Sequence, residues 1–457
     1  MDSVEFNTPG ANALDGLVDR IQAANFTTGL TRAGGRIVEI ASGYWRIAGI
    51  SKFVQLGHLV EISAHSGTER PMIAEVNRIE AKTVTAVPFD VTASPNLGAL
   101  AWCAKPLAPA PHRGWKGRVL DALSRPIDGL GALPTGNSGS DPAPAIPAAL
   151  DRQRVERPIV TGVKAIDIFT PLCAGQRIGV FAGSGVGKST LLAMMARSPG
   201  FDCAVIALVG ERGREVREFV EDVLGDSLER AVVVVSTSDE SPMMRRQAPR
   251  TAMSIAEHFR DQGDQVLLIV DSLTRYAHAA RDIAIASGEP PVSRGFPPTV
   301  FSMLPRLLER AGPGLAGKGS ITAVLSVLVD GDDHNDPIAD TVRGIVDGHI
   351  VLDRTIADQG RFPAFDPLRS ISRLAQRVWT ADQRVVVTEL RSLISVYEES
   401  RDLRLMGGYR AGADARLDRA LEVVPGVYQL LSQSPDTGDA TDTWRALGAL
   451  IEAKAAA

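Results

Sequence analysis

Residues 178–197 read IGVFAGSGVGKSTLLAMMAR and decide the fold of this 457-residue chain. The stretch begins with a short apolar run, Ile178 to Phe181, and ends with a helix-compatible segment, Leu191 to Arg197. Between the two lies a glycine-rich loop that finishes on Gly-Lys-Ser-Thr. A strand, a loop of this composition and a helix in this order predict an α/β fold whose loop holds phosphate groups.

The loop offers two kinds of contact to a phosphate chain. Its small residues let successive backbone N–H groups face the phosphate oxygens, while Lys188 neutralises the β- and γ-phosphates. The Ser189 hydroxyl is a predicted ligand of Mg²⁺. Ala182 replaces the first glycine of the usual pattern, which keeps the space but requires an ordinary backbone conformation. The predicted nucleotide-binding positions are Gly183, Ser184, Gly185, Val186, Gly187, Lys188, Ser189 and Thr190.

Further apolar runs follow the same rhythm along the chain. Continuous runs of this kind are buried on both faces, which is typical of a parallel sheet covered by helices. One of them ends in Asp271, and an acid at the tip of a strand beside the phosphate loop is a predicted second ligand of Mg²⁺. The other runs are Ala204 to Val209, Ala231 to Val235, Val266 to Val270, Ile321 to Val329 and Ile350 to Leu352.

Hydrolysis of a phosphate chain also needs a group that orients or deprotonates the attacking water. The apolar run that ends at Gly210 leads into two acids, Glu211 and Glu215. A carboxylate near this edge of the sheet suits the task, but chemistry alone does not choose between the two. Either could instead be a solvated acid paired with arginine at the start of a helix.

The segments on either side of this core have different patterns. Short β-rich runs between about Arg36 and Lys105 predict a small β-barrel or sandwich. Residues 106–158 hold many prolines and glycines, which indicates a domain boundary and an irregular connection. Residues 371–457 lose the strand rhythm and show apolar positions at helical spacing, which predicts a helical C-terminal unit.

An amphipathic helix is predicted near the N-terminus. Leu14, Leu17, Val18 and Ile21 follow the i, i+3, i+4, i+7 spacing within residues 11–25. Such a helix either packs on its own domain or docks on a partner or a membrane surface. The sequence leaves this choice open.

The bulk composition excludes several classes of protein. The hydrophobic fraction is 44% and the charged fraction 23%, as in ordinary globular chains. No run approaches the length of a membrane span and no secretory signal begins the chain, which predicts a cytoplasmic protein. Cys103, Cys173 and Cys203 lack any paired spacing, so we expect packing residues rather than a disulfide framework or a zinc site. The formal net charge of −5 argues against a general nucleic-acid binder.

Taken together, these motifs resemble those of the catalytic subunits of the rotary ATP synthase superfamily. Within it the chain is most similar to the type III protein-export ATPases, the flagellar branch in particular. The resemblance covers nearly the whole chain. Besides the phosphate loop, its motifs are Thr161 to Asp167, Gly210 to Glu215, Ser238 to Pro242, Asp271 to Tyr276, Pro297 to Phe301, Gly331 to Asp333 and Asp347 to Leu352.

The resemblance also implies roles for individual residues. In such enzymes the first acid of the Gly-Glu-Arg motif positions the water, which assigns that role to Glu211 and leaves Glu215 structural. An arginine finger is implied at Arg373, reaching across a subunit boundary, so that activity depends on assembly. Phe362 and Tyr409 match positions that sandwich adenine. Without the resemblance, Arg373 would be interpreted as a surface residue and the two aromatics as core.

The implied architecture has four parts. They are an amphipathic segment at 1–25, a β-barrel at 26–106, a RecA-like ATP-binding domain at 107–370 and a helical domain at 371–457. ATP and Mg²⁺ are the implied cofactors of a homohexamer that is cytoplasmic and peripherally associated with the inner face of the cell membrane. The implied partners are a regulatory or stator-like export protein at the N-terminal helix, export substrates with their chaperones, and a membrane export gate.

Other functions share parts of this pattern. Flagellar and injectisome exporters share all of these motifs, so the system served stays open. A proton-translocating ATP synthase subunit is disfavoured because residues 297–308 and 331–333 resemble the export enzymes. A ring-shaped RNA translocase would need a basic, aromatic face, whereas only 5% of this chain is aromatic. A subunit that holds nucleotide without hydrolysis is disfavoured by the presence of Glu211 and Arg373.

Overall fold

The computed structural model describes residues 32–62, 71–136, 150–329, 336–434 and 442–452. Its chain divides into two compact units, with the boundary between Pro106 and Leu107. The helix predicted at 11–25 and the motif at 331–333 lie outside the described residues. Within the described ranges, no helix combines the length and the apolar character needed to span a bilayer.

The first unit is a closed, antiparallel β-barrel in the strand order β1-β2-β5-β4-β3-β6. Its inward-facing side chains, including Trp45, Ile47 and Val60, are fully or almost fully buried. The β-rich runs of the sequence therefore form a barrel rather than a sandwich. The strands are β1 Gly34–Ala41, β2 Tyr44–Ala48, β3 Leu59–Ile62, β4 Met72–Ile79, β5 Thr83–Pro88 and β6 Leu100–Ala104.

The second unit is built on a large and mostly parallel sheet. Its main path runs β17-β16-β10-β15-β13-β11-β12-β7, and β14 pairs with β15. The strands β8 and β9 form a separate two-stranded antiparallel sheet. The strands are β7 Arg118–Asp121, β8 Pro158–Ile159, β9 Leu172–Cys173, β10 Arg177–Ala182, β11 Cys203–Glu211, β12 Ala231–Thr237, β13 Gln265–Asp271, β14 Gly312–Pro313, β15 Ser320–Leu328, β16 Gly348–Leu352 and β17 Ile371–Ser372.

Helices cover this sheet. Nearly every residue of β11, β13 and β15 is buried, which explains why these strands are continuous apolar runs without alternation. The helices of this part are α1 Lys164–Phe169, α2 Lys188–Ala196, α3 Gly213–Glu218, α4 Pro242–Asp261, α5 Leu273–Ala286, α6 Pro298–Leu308, α7 Pro337–Ile345 and α8 Arg354–Asp358, with a π-helical segment at Phe219–Leu224 and 3₁₀ segments at Arg113–Trp115 and Gly225–Arg230.

The C-terminal part is helical, as the sequence predicts. Thr380 caps its long helix through a capping box with Gln383, and Leu390, Leu393 and Ile394 are buried on the helix face that the sequence indicates. Its helices are α9 Ala375–Val378, α10 Ala381–Glu399, α11 Arg401–Leu405, α12 Ala415–Leu431 and α13 Thr443–Glu452. The domain boundary at 370/371 stays a prediction.

The cysteines behave as packing residues. Cys173 and Cys203 are buried, Cys103 is partly buried, and all three are free thiols. Burial raises the pKa of the Cys203 thiol to about 12, so this group stays protonated and unreactive near neutral pH.

Candidate active site

The phosphate loop connects β10 to α2. Gly185 and Gly187 have φ angles of 78° and 86°, in the left-handed region that side chains with a Cβ avoid. Ala182, by contrast, is a regular strand residue that pairs with Leu328 and Leu352. Gly185 and Gly187 therefore occupy positions whose backbone conformation favours glycine, whereas Ala182 occupies a position that needs only extended backbone.

Three predicted residues meet at the edge of the sheet formed by the carboxyl ends of its parallel strands. Lys188 begins α2, Glu211 ends β11 and Asp271 ends β13. The Lys188 ammonium donates a hydrogen bond to Asp271 Oδ1, and its Nζ lies 4.0 Å from Glu211 Oε1. This is the edge at which open α/β sheets bind their ligands.

Two further side chains complete this cluster. The Ser326 hydroxyl on β15 donates to Asp271 Oδ1 at 2.9 Å. Arg275 on α5 lies 3.2 Å from Glu211 Oε2. Lys188, Glu211 and Asp271 have side chains only 11%, 14% and 3% exposed, so their charges interact with little screening by water.

The environment changes the proton affinity of Glu211. Burial, followed by the neighbouring Asp271 carboxylate, raises the pKa of Glu211, while Lys188 and Arg275 oppose this effect. A carboxylate with a raised pKa is a better proton acceptor near neutral pH. Glu211 therefore has both the position and the basicity that activation of a water molecule needs.

Glu215 lies one helical turn away and is more open to solvent. Its side chain is 38% exposed and pairs with Arg212 at 3.5 Å. It also hydrogen-bonds to the Glu211 carboxyl, which adds to the raised pKa of Glu211. Glu215 thus contacts the cluster through Glu211, whereas Glu211 itself contacts Lys188 and Arg275.

The side chains at this edge fit a magnesium ion that is shared with a nucleotide. Within the described ranges, no group of three or more His, Cys, Asp or Glu residues forms a closed metal cage. Mg²⁺ in nucleotide sites takes one or two protein ligands and completes its octahedron with phosphate oxygens and water. The buried Asp271 carboxylate and the Ser189 hydroxyl, at the start of α2, provide such a partial set.

Arg373 lies away from this cluster. Its backbone N–H donates to the Asp347 carbonyl, and the Asp347 N–H donates to the Arg177 carbonyl at the start of β10. From Arg177 to Ala182 the strand advances about 17 Å, which exceeds the length of an arginine side chain. The exposed Arg373 therefore lies near the opposite end of the sheet from the phosphate loop of its own chain.

A pocket opens beside the phosphate loop. Phe362 is 46% exposed, and its ring lies 3.6 Å from the point that a Cβ on Gly187 would occupy. The end of α12 also contributes residues to the pocket lining. Residues that line the pocket include Ala165, Phe362, Pro363, Tyr428, Leu431 and Ser432.

The two aromatic residues predicted for a base site are not placed together. Tyr409 is absent from the pocket lining, and its hydroxyl donates to Asp418 at 2.8 Å. Phe365 and Tyr428 line the pocket together with Phe362, and the Tyr428 ring stacks under the Arg361 guanidinium at 3.8 Å. An adenine contact by Tyr409 stays a prediction.

Ser326, Tyr428 and Arg354 are among the residues at the site that were not found from the sequence. Tyr428 belongs to an apolar helical pattern that indicates only core packing, because Phe362, which lines the same pocket, is distant in sequence. Arg354, on α8, donates to the Ser184 carbonyl of the phosphate loop at 2.9 Å. A single arginine after a strand gives no sequence signal for such a contact.

The fold and the site define a P-loop nucleotide-binding protein. Residues 162–372 match the ATP synthase alpha/beta family, nucleotide-binding domain, and residues 379–449 match the T3SS EscN ATPase C-terminal domain. The flagellum-specific ATP synthase of Rhizobium meliloti (strain 1021) is 53% identical over 443 residues, which are 97% of this chain and 94% of that protein.

Solved structures agree with this similarity. The assembled ATPase EscN from the enteropathogenic E. coli type III secretion system has a TM-score of 0.84 at 40% identity, over 91% of this chain and 100% of EscN. EscN in complex with its central stalk EscO has a TM-score of 0.81 at 38% identity, over 91% and 99% of the two chains. The chain belongs to the family of flagellum-specific ATP synthases and is a nucleotide-binding ATPase.

Proposed function

We propose that this chain hydrolyses Mg-ATP as one subunit of a homohexameric ring, and that turnover drives protein export through a flagellar type III apparatus. The meeting of Lys188, Glu211 and Asp271 at the carboxyl edge of the sheet carries the proposal. A lysine for phosphate charge, an acid for water and an acid for metal are the parts that phosphoryl transfer to water needs.

Each residue of the cluster has a task in the proposed reaction. Lys188 exchanges its contact with Asp271 for the β- and γ-phosphate oxygens. Asp271 and Ser189 would hold Mg²⁺, which neutralises charge on the same oxygens. Glu211 orients the attacking water and accepts its proton, and Arg275 fixes the Glu211 carboxylate. Phe362 and the pocket beside it receive the base.

The position of Arg373 supports a shared active site. Arg373 is too far from its own phosphate loop to contact a γ-phosphate there, yet it is exposed and available to a neighbouring subunit. An arginine supplied by a neighbour stabilises the charge of the transition state. EscN, a similar ATPase, has been solved in an assembled form, which supports self-association of this chain.

We assign the chain to a flagellar apparatus rather than an injectisome because its sequence is more similar to a flagellum-specific relative. The flagellum-specific relative is 53% identical, whereas EscN of a type III secretion system is 40% identical. The EscN–EscO complex supports a stalk-like regulatory partner for this chain as well. We further propose export substrates, chaperones and a membrane export gate as partners at the inner face of the cell membrane.

Complementation tests the proposed system. The chain, expressed in a flagellated bacterium that lacks its flagellar export ATPase, should restore motility, and the Glu211→Gln variant should not. In a bacterium that has an injectisome but lacks the injectisome ATPase, the same chain should fail to restore effector secretion. Rescue of secretion without rescue of motility would assign the chain to an injectisome.

A separate binding assay tests the N-terminal helix. A chain that lacks residues 1–25 should lose the regulatory partner and retain ATP hydrolysis. If the partner still binds, the predicted docking role of Leu14, Leu17, Val18 and Ile21 is wrong.

A further inference from the structure

Gln433, just after α12, joins three separate parts of the second unit. Its backbone N–H donates to the Phe362 carbonyl at 2.9 Å. Its side-chain Oε1 accepts from the Lys164 N–H at 3.1 Å, and its Nε2 donates to the Gly162 carbonyl at 2.8 Å. One residue therefore connects the end of α12 to the Phe362 loop and to the turn before α1.

The turn that Gln433 contacts is itself firmly held. The Asp167 carboxylate accepts hydrogen bonds from the Thr161 N–H at 2.8 Å, the Thr161 hydroxyl at 2.7 Å and the Gly162 N–H at 3.1 Å. Thr161 is completely buried. Because this turn is fixed, the hydrogen bonds from Gln433 hold the end of α12 against a rigid support.

Gln433 also stands at the junction of the two pocket walls. The pocket is lined by Phe362 and Pro363 from one segment of the chain and by Tyr428 and Ser432 from another, and we treat these two segments as its two walls. Gln433 follows Ser432 directly and hydrogen-bonds to Phe362, so it contacts both walls at their base. The hydrogen bond to Phe362 is donated by the backbone N–H of Gln433 and would persist after substitution. The hydrogen bonds to Lys164 and Gly162 depend on the Gln433 side chain and would be lost.

We propose that Gln433 is a positioning residue that sets the spacing between the two walls of the base pocket, and thereby the preference of the site for a purine base. This inference rests on the proposed function, since it assigns the pocket to the base of ATP. A planar base fits between two walls only while their spacing is fixed. The hydrogen bonds of Gln433 go to Phe362, Lys164 and Gly162 rather than to Lys188, Glu211 or Asp271, so the phosphate end should not depend on it.

Steady-state kinetics of the full chain test the proposal. The Gln433→Ala variant should raise KM for ATP roughly 3- to 10-fold with kcat within about twofold, because two hydrogen bonds are lost away from the reacting atoms. Its ratio of kcat/KM for ATP over CTP should fall by the same factor. Inorganic tripolyphosphate, which has no base, should inhibit the variant and the wild type equally.

Two further variants make the result decisive. Gln433→Glu keeps an acceptor for Lys164 but replaces the donor to Gly162 with a carboxylate oxygen that the Gly162 carbonyl repels, so it should also raise KM. Gln429→Ala changes an exposed glutamine one turn earlier in α12 and should leave KM unchanged. If Gln433→Ala does not fold, Gln433→Glu decides the question alone.

The outcomes separate this inference from the proposed function. A wild type that does not hydrolyse ATP would overturn the proposed function. An active wild type with unchanged KM in the Gln433 variants would overturn only the inference. Equal weakening of ATP and tripolyphosphate, or a fall in kcat that matches the rise in KM, would identify Gln433 as a general structural residue and also overturn it.

Discussion

The two ends of the nucleotide site are built in different ways. At the phosphate end, Glu211 and Asp271 are the last residues of buried strands, and Lys188 follows β10 across the phosphate loop. The end that we propose to hold the base combines the Phe362 loop, the end of α12 and the turn before α1, which are far apart in the sequence. The pairing of the strands fixes the positions of the residues at the phosphate end. Contacts between distant segments fix the positions of the residues at the other end.

This difference has a kinetic consequence. Substitutions at the phosphate end remove charges that act on the reacting oxygens, so they should lower kcat. Substitutions at the base end change contacts that are equal in the ground state and the transition state, so they should mainly raise KM. The predictions below test that division, from the largest expected effect to the smallest.

Lys188→Ala should have the largest effect. Loss of the ammonium removes the charge opposite the β- and γ-phosphates, and turnover should fall by about 10³-fold or more. ATPase assays together with thermal melting separate this loss from unfolding. Near-normal hydrolysis in a folded variant would exclude the phosphate loop as the catalytic site.

Glu211→Gln and Glu215→Gln form a matched pair. Glu211→Gln should bind Mg-ATP but lose turnover by roughly 10²- to 10⁴-fold, because the amide cannot accept a proton. Glu215→Gln should change turnover far less, since Glu215 reaches the cluster only through Glu211. The reverse ranking would transfer the water-activating role to Glu215.

Phe362→Ala should affect KM rather than kcat. Stacking of a base on an aromatic ring contributes about 1–3 kcal/mol, so KM for ATP should rise roughly 5- to 150-fold. Tyr428→Ala should raise KM more than Tyr409→Ala, because Tyr428 lines the pocket and Tyr409 bonds to Asp418. The opposite order would favour an adenine contact by Tyr409 in the bound state.

Arg275→Ala should shift a pH profile. Glu211 must be deprotonated to accept a proton, so kcat falls as the pH drops through its pKa, which burial raises. Arg275 opposes that increase, so its removal should move the acid limb of kcat to higher pH. An unchanged acid limb would show that another group titrates there.

The phosphate end could be predicted from the sequence because its signals are local. The strands end at or beside Ala182, Glu211 and Asp271, and the run of apolar residues before each one indicates its position. The choice of Glu211 over Glu215 came from family resemblance, since both acids follow the same strand. Local patterns suffice where a residue's position follows from its own strand.

The base end could not be predicted in the same way. Tyr428 lines the same pocket as Phe362, and the role proposed for Gln433 depends on its hydrogen bonds to Phe362, Gly162 and Lys164; no spacing in the sequence reports such distant contacts. Arg354 is similar, because its contact with Ser184 depends on how α8 packs beside the phosphate loop. These roles require the tertiary structure.

The central claim is that one active site combines residues of two subunits, and mixing of two variants tests it most directly. Lys188→Ala and Arg373→Ala should each be inactive alone. In randomly mixed rings, roughly a quarter of the interfaces join an intact Lys188 to a neighbour's intact Arg373. Single-turnover hydrolysis needs only one such interface, so a burst of product should return on mixing. No burst, with subunit exchange verified by labelling, would contradict the shared site.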